Sequence, residues 1–148
     1  MGKKSWFIIG FNAIALAIID QFSKWLAGVY LTYPVVLTDW FTLRYGENTG
    51  IAWSIAIPSA ILLPLNIVLF VIIIALAGKH LDMRRRESRI FLTLIVGGAL
   101  GNIVDRFARG YVVDFISVGS WPVFNLADMF LSIGIFLTVL FYAKIKRV

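Results

Sequence analysis

FLTLIVGGALGNIVDR, residues 91–106, decides the architecture of this chain. It is apolar almost to its end, then closes on Asn102, Asp105 and Arg106. A carboxylate in hydrocarbon costs about 2.5–3.5 kcal/mol or more, so such a residue usually does a job. The stretch therefore reads as a membrane-crossing helix that carries a polar site near one end. Gly97 and Gly101 form a small-xxx-small face for close helix packing.

Working outward, the run itself covers about 89–106, and three more lie at about 6–27, 57–77 and 122–143. A hydrocarbon core of roughly 30 Å takes about 20 helical residues. Of the 148 residues 60% are hydrophobic and only 15% charged, and mean hydropathy is +0.89. A soluble domain of this length could not hide so much apolar surface. The expectation is an all-α polytopic membrane protein with four transmembrane helices, forming a single domain over 1–148. Lys3 and Lys4 before an apolar run resemble a signal peptide. No small-x-small cleavage site follows, and Asp20 and Lys24 interrupt the run, so it reads as a permanent helix.

Charge orients the bundle. Lys3 and Lys4, then Lys79, Arg84, Arg85, Arg86 and Arg89, then Lys144, Lys146 and Arg147 all fall at one end. Arg44, Arg106 and Arg109 fall at the other, and Lys24 lies within a span. The positive-inside rule then puts both termini and the 78–88 loop in the cytoplasm. The net charge of +6 is thus a topology signal, which argues against a nucleic-acid partner. There is no cysteine, which excludes disulfides and a thiol nucleophile, and the single histidine, His80, sits in the basic loop.

Residues 30–55 read as a small β element on the outer surface. Phe41, Leu43 and Tyr45 alternate with polar residues, 46–50 has turn composition, and Ile51-Ala52-Trp53 could return as a second strand. Trp25, Tyr30, Tyr33, Trp40 and Trp53 would form an aromatic belt there. Residues 107–121 read as an interfacial loop.

The acids share a depth. At about 1.5 Å per residue, Asp20 and Asp105 lie roughly 21 and 22 Å from the inner edge, and Asp128 roughly 9 Å below the outer one. In a core of about 30 Å these are one level. Asp20 and Lys24 share a face, as do Asn102 with Asp105 and Arg106, and Asn125 with Asp128. Three polar faces at one depth must turn away from lipid and meet. Asp20–Lys24 reads as a structural ion pair. For Asp105 beside Arg106, support and catalysis stay equally open. Asp114 and Asp128 have no adjacent base and are framed by apolar residues. Two carboxyls brought together in such surroundings share one proton, the state used by aspartic proteases.

Five pieces in order resemble the lipoprotein signal peptidase family, signal peptidase II. They are Asp20-Gln21-Phe22-Ser23-Lys24, Asn48-Thr49-Gly50-Ile51-Ala52-Trp53, Gly97 to Arg106, Val112-Val113-Asp114-Phe115 and Phe124-Asn125-Leu126-Ala127-Asp128. The resemblance implies a bacterial aspartic endopeptidase of the cytoplasmic (inner) membrane, its site near the outer face. It would cut prolipoproteins before a diacylglyceryl-modified cysteine. A paired-carboxyl site lacking His and Cys is expected to activate water itself, without metal or cofactor, and the expected state is a monomer in contact with membrane lipid. The resemblance implies Asp114 and Asp128 as catalytic, with Asp20, Lys24, Asn48, Gly50, Asn102, Asp105, Arg106 and Asn125 as supporting or substrate-binding residues. Trp53 stands where phenylalanine is commoner in the family, and only 13 residues separate Asp114 from Asp128.

Two other readings use the same residues. A metal-dependent membrane transferase would hold a divalent ion on the Asp/Asn cluster. No D-x-x-D run lies on one helix, and Lys24 and Arg106 would compete with the ion. A proton relay would need acids in the inner half of the spans, where there are none.

Overall fold

A computed structural model describes residues 3–51, 55–56 and 59–147. The order is α1 (Lys3–Tyr30), β1 (Val35–Thr38), β2 (Phe41–Asn48), β3 (Gly50–Ile51), β4 (Ile55–Ala56), α2 (Ser59–His80), α3 (Arg86–Arg109), β5 (Val112–Val118), α4 (Leu126–Leu140) and α5 (Tyr142–Ile145). Ala52, Trp53 and Pro58, which the sequence reading used for a strand, the aromatic belt and a helix start, lie outside the described residues.

α3 is the axis, and glycine makes it one. A methyl group at Gly97 would sit 2.8 Å from Leu16 Cβ of α1, and one at Gly98 would collide with the Ala127 carbonyl of α4. At Gly101 it would meet the Asp20 carboxylate and lie 3.0 Å from Ala127 Cβ. The expected small-residue face is therefore present, and Gly98 opens a second one toward α4. α4 answers with Gly134, packed against Ile95 and the Phe91 carbonyl of α3. α3 ends where Gly110 turns left-handed, at φ 81, and returns its N–H to Arg106 O at 3.1 Å.

Outward faces are apolar. Phe7, Phe11, Ile14, Ile18 and Phe22 on α1 are exposed, as are Leu65, Val68, Val71 and Ile72 on α2 and Phe136 and Val139 on α4. Apolar surface this extensive marks a membrane-facing exterior. α1, α2 and α3 are long and apolar enough to cross a membrane. α4 is apolar but only 15 residues long, shorter than the expected 122–143. It starts late because Asn125 caps it. α2 runs through Pro64 and packs chiefly on α3.

The β element differs from its expected form. β1, β2 and β5 make one antiparallel sheet in that order. The turn lies at Asp39–Trp40, and Gly46-Glu47-Asn48 continue β2. Gly50–Ile51 pairs with Ile55–Ala56 in a separate ribbon and does not return along β2. The interfacial loop is in fact largely β5, which pairs Leu43 with Ile116, Gly46 with Asp114 and Asn48 with Val112. Val112, Val113 and Asp114 are consecutively buried, so that half of β5 lacks the alternation by which a strand is recognised.

Candidate active site

Asp20, Lys24 and Asp105 are wholly buried and form the base of a polar cluster where α1, α3 and α4 meet below the sheet. Lys24 Nζ lies 2.8 Å from Asp20 Oδ2, 2.8 Å from Asp105 Oδ2 and 3.1 Å from Asn102 Oδ1. Three acceptors match the three ammonium protons. Asp20 therefore does more than neutralise its own helix. Its Oδ1 accepts the Ala127 N–H at 2.9 Å, satisfying one of the unpaired donors at the start of α4.

Asp105 is not the partner of Arg106. Side chains three and four positions apart, not adjacent ones, share a helix face, and Arg106 points to the groove. Asp105 instead binds Lys24 and Arg109, accepts Gln21 Nε2 at 3.0 Å, and accepts the Val113 N–H at 3.1 Å. It thus ties α1, α3 and β5 together. Gln21 and Arg109 belong to this cluster and were not anticipated as site residues. The i,i+4 spacing of Asp105 and Arg109 was the available signal.

Above this base stand Asp114 and Asp128, on β5 and on the first turn of α4. Asn125 Nδ2 reaches Asp114 Oδ1 at 2.7 Å, and Asn48 Nδ2 reaches Asp114 Oδ2 at 2.9 Å. Asn102 Nδ2 reaches Asp128 Oδ1 at 2.7 Å, and Asn125 and Asp128 form a reciprocal capping box. Asn125 Nδ2 also lies 3.2 Å from Asn102 Oδ1, so the two carboxyls are bridged by a chain of amides. Burial raises the Asp114 pKa to about 6, with the Asp128 charge adding to it and the Asn48 and Asn125 donors opposing.

Both carboxyls line a groove of about 870 Å³, with Asn48, Gly50, Asn102 and Arg106. Arg106 Nη2 donates to Gly50 O at 2.9 Å, while its buried Nε and Nη1 have no partner among the described residues. Asn48 Oδ1 accepts the Gly50 N–H at 3.0 Å and so holds the same segment. Asn48, Gly50, Asn102, Arg106, Asp114, Asn125 and Asp128 thus gather at the groove and its wall. Asp20, Lys24 and Asp105 support it from beneath. Paired carboxyls with amide donors and an open groove suit acid–base chemistry on a bound peptide.

The Signal peptidase (SPase) II family profile matches residues 12–144. A lipoprotein signal peptidase from Chlorobaculum tepidum is 38% identical, over 90% of this chain and 92% of that protein. One from Moorella thermoacetica is 39% identical, over 83% and 84%. A bacterial membrane enzyme solved by the in meso method at 2.3 Å resolution is 27% identical. It superimposes with a TM-score of 0.80 over 92% of this chain and 87% of that one.

Proposed function

The chain belongs to the signal peptidase II family and removes signal peptides from prolipoproteins, and we propose that Asp114 and Asp128 perform the cleavage as an aspartic dyad. The observation that carries this reading is the pair of amide-held carboxyls opening on one groove. One ionised carboxylate takes a proton from water, whose oxygen attacks the scissile carbonyl carbon. The protonated neighbour donates to the carbonyl oxygen, giving a neutral diol. The first carboxyl then returns its proton to the leaving nitrogen as the C–N bond breaks, and the second recovers the diol proton. Asp20, Lys24 and Asp105 fix the helix ends that carry this pair, and Asn48, Asn102 and Asn125 orient the carboxyl groups.

The membrane placement belongs to the same proposal. α4 and α5, joined through Phe141, extend over 126–145, which is roughly 30 Å at the helical rise. That length supports a fourth span. The basic loop and termini then face the cytoplasm of the inner membrane, and the groove opens near the outer face. Exposed Trp25, Tyr30, Tyr33, Trp40 and Trp121 ring that end at the height of an aromatic belt. The substrate is a prolipoprotein whose cysteine carries a diacylglyceryl group, cut just before that cysteine. One chain supplies both carboxyls and every amide that holds them, so it acts as a monomer and single domain.

The test is cleavage of a diacylglyceryl-modified prolipoprotein by the purified protein. Asp114→Asn and Asp128→Asn each lower turnover by roughly 10³-fold or more while the protein stays folded in the membrane. A chelator leaves the parent rate unchanged, because the carboxylate oxygens already face amide N–H donors. Near-normal turnover by Asp114→Asn, or loss in chelator restored by a divalent ion, would sink the dyad.

A further inference from the structure

At the end of the helices opposite the groove, α2, α3 and α4 enclose a second crevice of about 410 Å³. Ile73, Leu76 and Ala77 wall it from α2, Leu92 and Ile95 from α3, and Thr138 from α4. The α2 residues share one helix face, and Thr138 commits its hydroxyl to Gly134 O at 2.7 Å. The walls are therefore apolar. The crevice lies where α2, packed chiefly on α3, runs beside α4.

Cations adjoin its mouth, and Arg147 Nη1 donates to Gly78 O at 3.4 Å. His80 and Tyr142 line it, and Arg147 is held beside it by its N–H to His80 O at 2.7 Å. Lys79 adjoins His80, and Lys146 bridges to Leu81. The acids of this end, Asp82 and Glu87, are engaged by Arg85 at 3.8 Å and Lys144 at 2.7 Å. Among the described residues Lys79, Lys146 and Arg147 have no ion-pair partner.

We propose that this crevice binds an anionic phospholipid, one acyl chain lying between α2 and α4 and the phosphate meeting Lys79, Lys146 and Arg147. A basic pocket between membrane helices suits an anionic headgroup. The rim argues against the competing apolar occupant, a signal peptide, whose own N-terminal segment is positively charged.

Native mass spectrometry of the purified full chain tests this with phosphatidylglycerol and phosphatidylcholine of identical acyl chains. The parent retains one phosphatidylglycerol in preference to phosphatidylcholine, by roughly fivefold for each cation engaged. Lys79→Gln, Lys146→Gln and Arg147→Gln together bring the two lipids to parity. Thr138→Phe fills the crevice and loses both, and Leu76→Trp, at a position 52% exposed, repeats the filling from α2 if Thr138→Phe does not fold. Equal retention of the two lipids by the parent overturns the proposal. So does a preference that survives crevice filling, which would mark adsorption at the rim. Displacement of the lipid by an unlipidated signal peptide, itself excluded by Thr138→Phe, would make the substrate the occupant.

Discussion

Asp105 and Asp114 look alike in the sequence and sit in different surroundings. Asp105 is fully buried against Lys24 and Arg109, with the Gln21 amide and the Val113 N–H completing its acceptors. Removing one member of a buried pair leaves an uncompensated charge and costs about 3–5 kcal/mol. Asp105→Asn therefore lowers the melting temperature in detergent markedly, and activity falls with it. An unchanged melting temperature with activity abolished would move Asp105 from support to catalysis. Asp114 instead faces the groove with its pKa raised to about 6. A dyad needs one proton, so deprotonation of the second carboxyl ends activity. The alkaline limb of the pH–rate profile lies at about 6 or above, higher still when substrate excludes water. Asn48 donates to the Asp114 carboxylate, which favours the ionised form. Asn48→Ala consequently moves that limb to higher pH, by about one unit for a lost hydrogen bond to a charged group. A limb that stays in place or moves down contradicts the contact's role.

At the scale of elements, the spacing of α3 and α4 sets the spacing of the site. Asn102 on α3 holds Asp128 on α4 at 2.7 Å, and Gly98 and Gly101 let the helices approach that closely. Gly98→Leu drives a side chain into the Ala127 backbone. Overpacking of this kind costs about 1–3 kcal/mol, and here it also withdraws Asp128 from its amide donor. The expected result is a lower melting temperature and a larger loss of kcat than of substrate affinity, measured by steady-state kinetics. Gly10→Leu, where nothing lies within 4 Å of an added methyl, is the control that changes neither. The α3 glycine face was legible in the sequence because its period matches a helix. The sheet was legible only in part. Phe41, Leu43 and Tyr45 showed strand alternation, but their partner is Val112–Val118, about 70 residues away. Local turn composition at 46–50 could not reveal that pairing, since register is set by contacts across the fold.

At the scale of the whole molecule, the groove lies where the helical bundle meets the sheet, below the exposed aromatic residues. On the proposed function a polar cleavage segment is drawn to that level, and acyl chains on the cysteine offset the cost at about 0.8 kcal/mol per buried methylene. In the proposed mechanism they also hold the scissile bond beside Asp114 and Asp128, which lowers the entropic part of the barrier. One prolipoprotein compared with and without its diacylglyceryl group, in the same membrane, therefore gives a much higher kcat/KM for the lipidated form. Equal values would mean that the lipid is not recognised. The sequence by itself determined the apolar exterior, the charge asymmetry and the gathering of Asp20, Asp105 and Asp128 in one polar cluster of the bundle. Those properties follow from composition and from helical rise, which are local. It also carried the five motifs that mark the family. Only the tertiary structure decided that Asp105 serves Lys24 and Arg109 instead of Arg106, that Asp20 caps α4, and that β5 brings Asp114 to the groove with Asp128. Each of these is a contact between elements far apart in the chain, and partner choice in a buried cluster depends on which faces meet once the helices have packed.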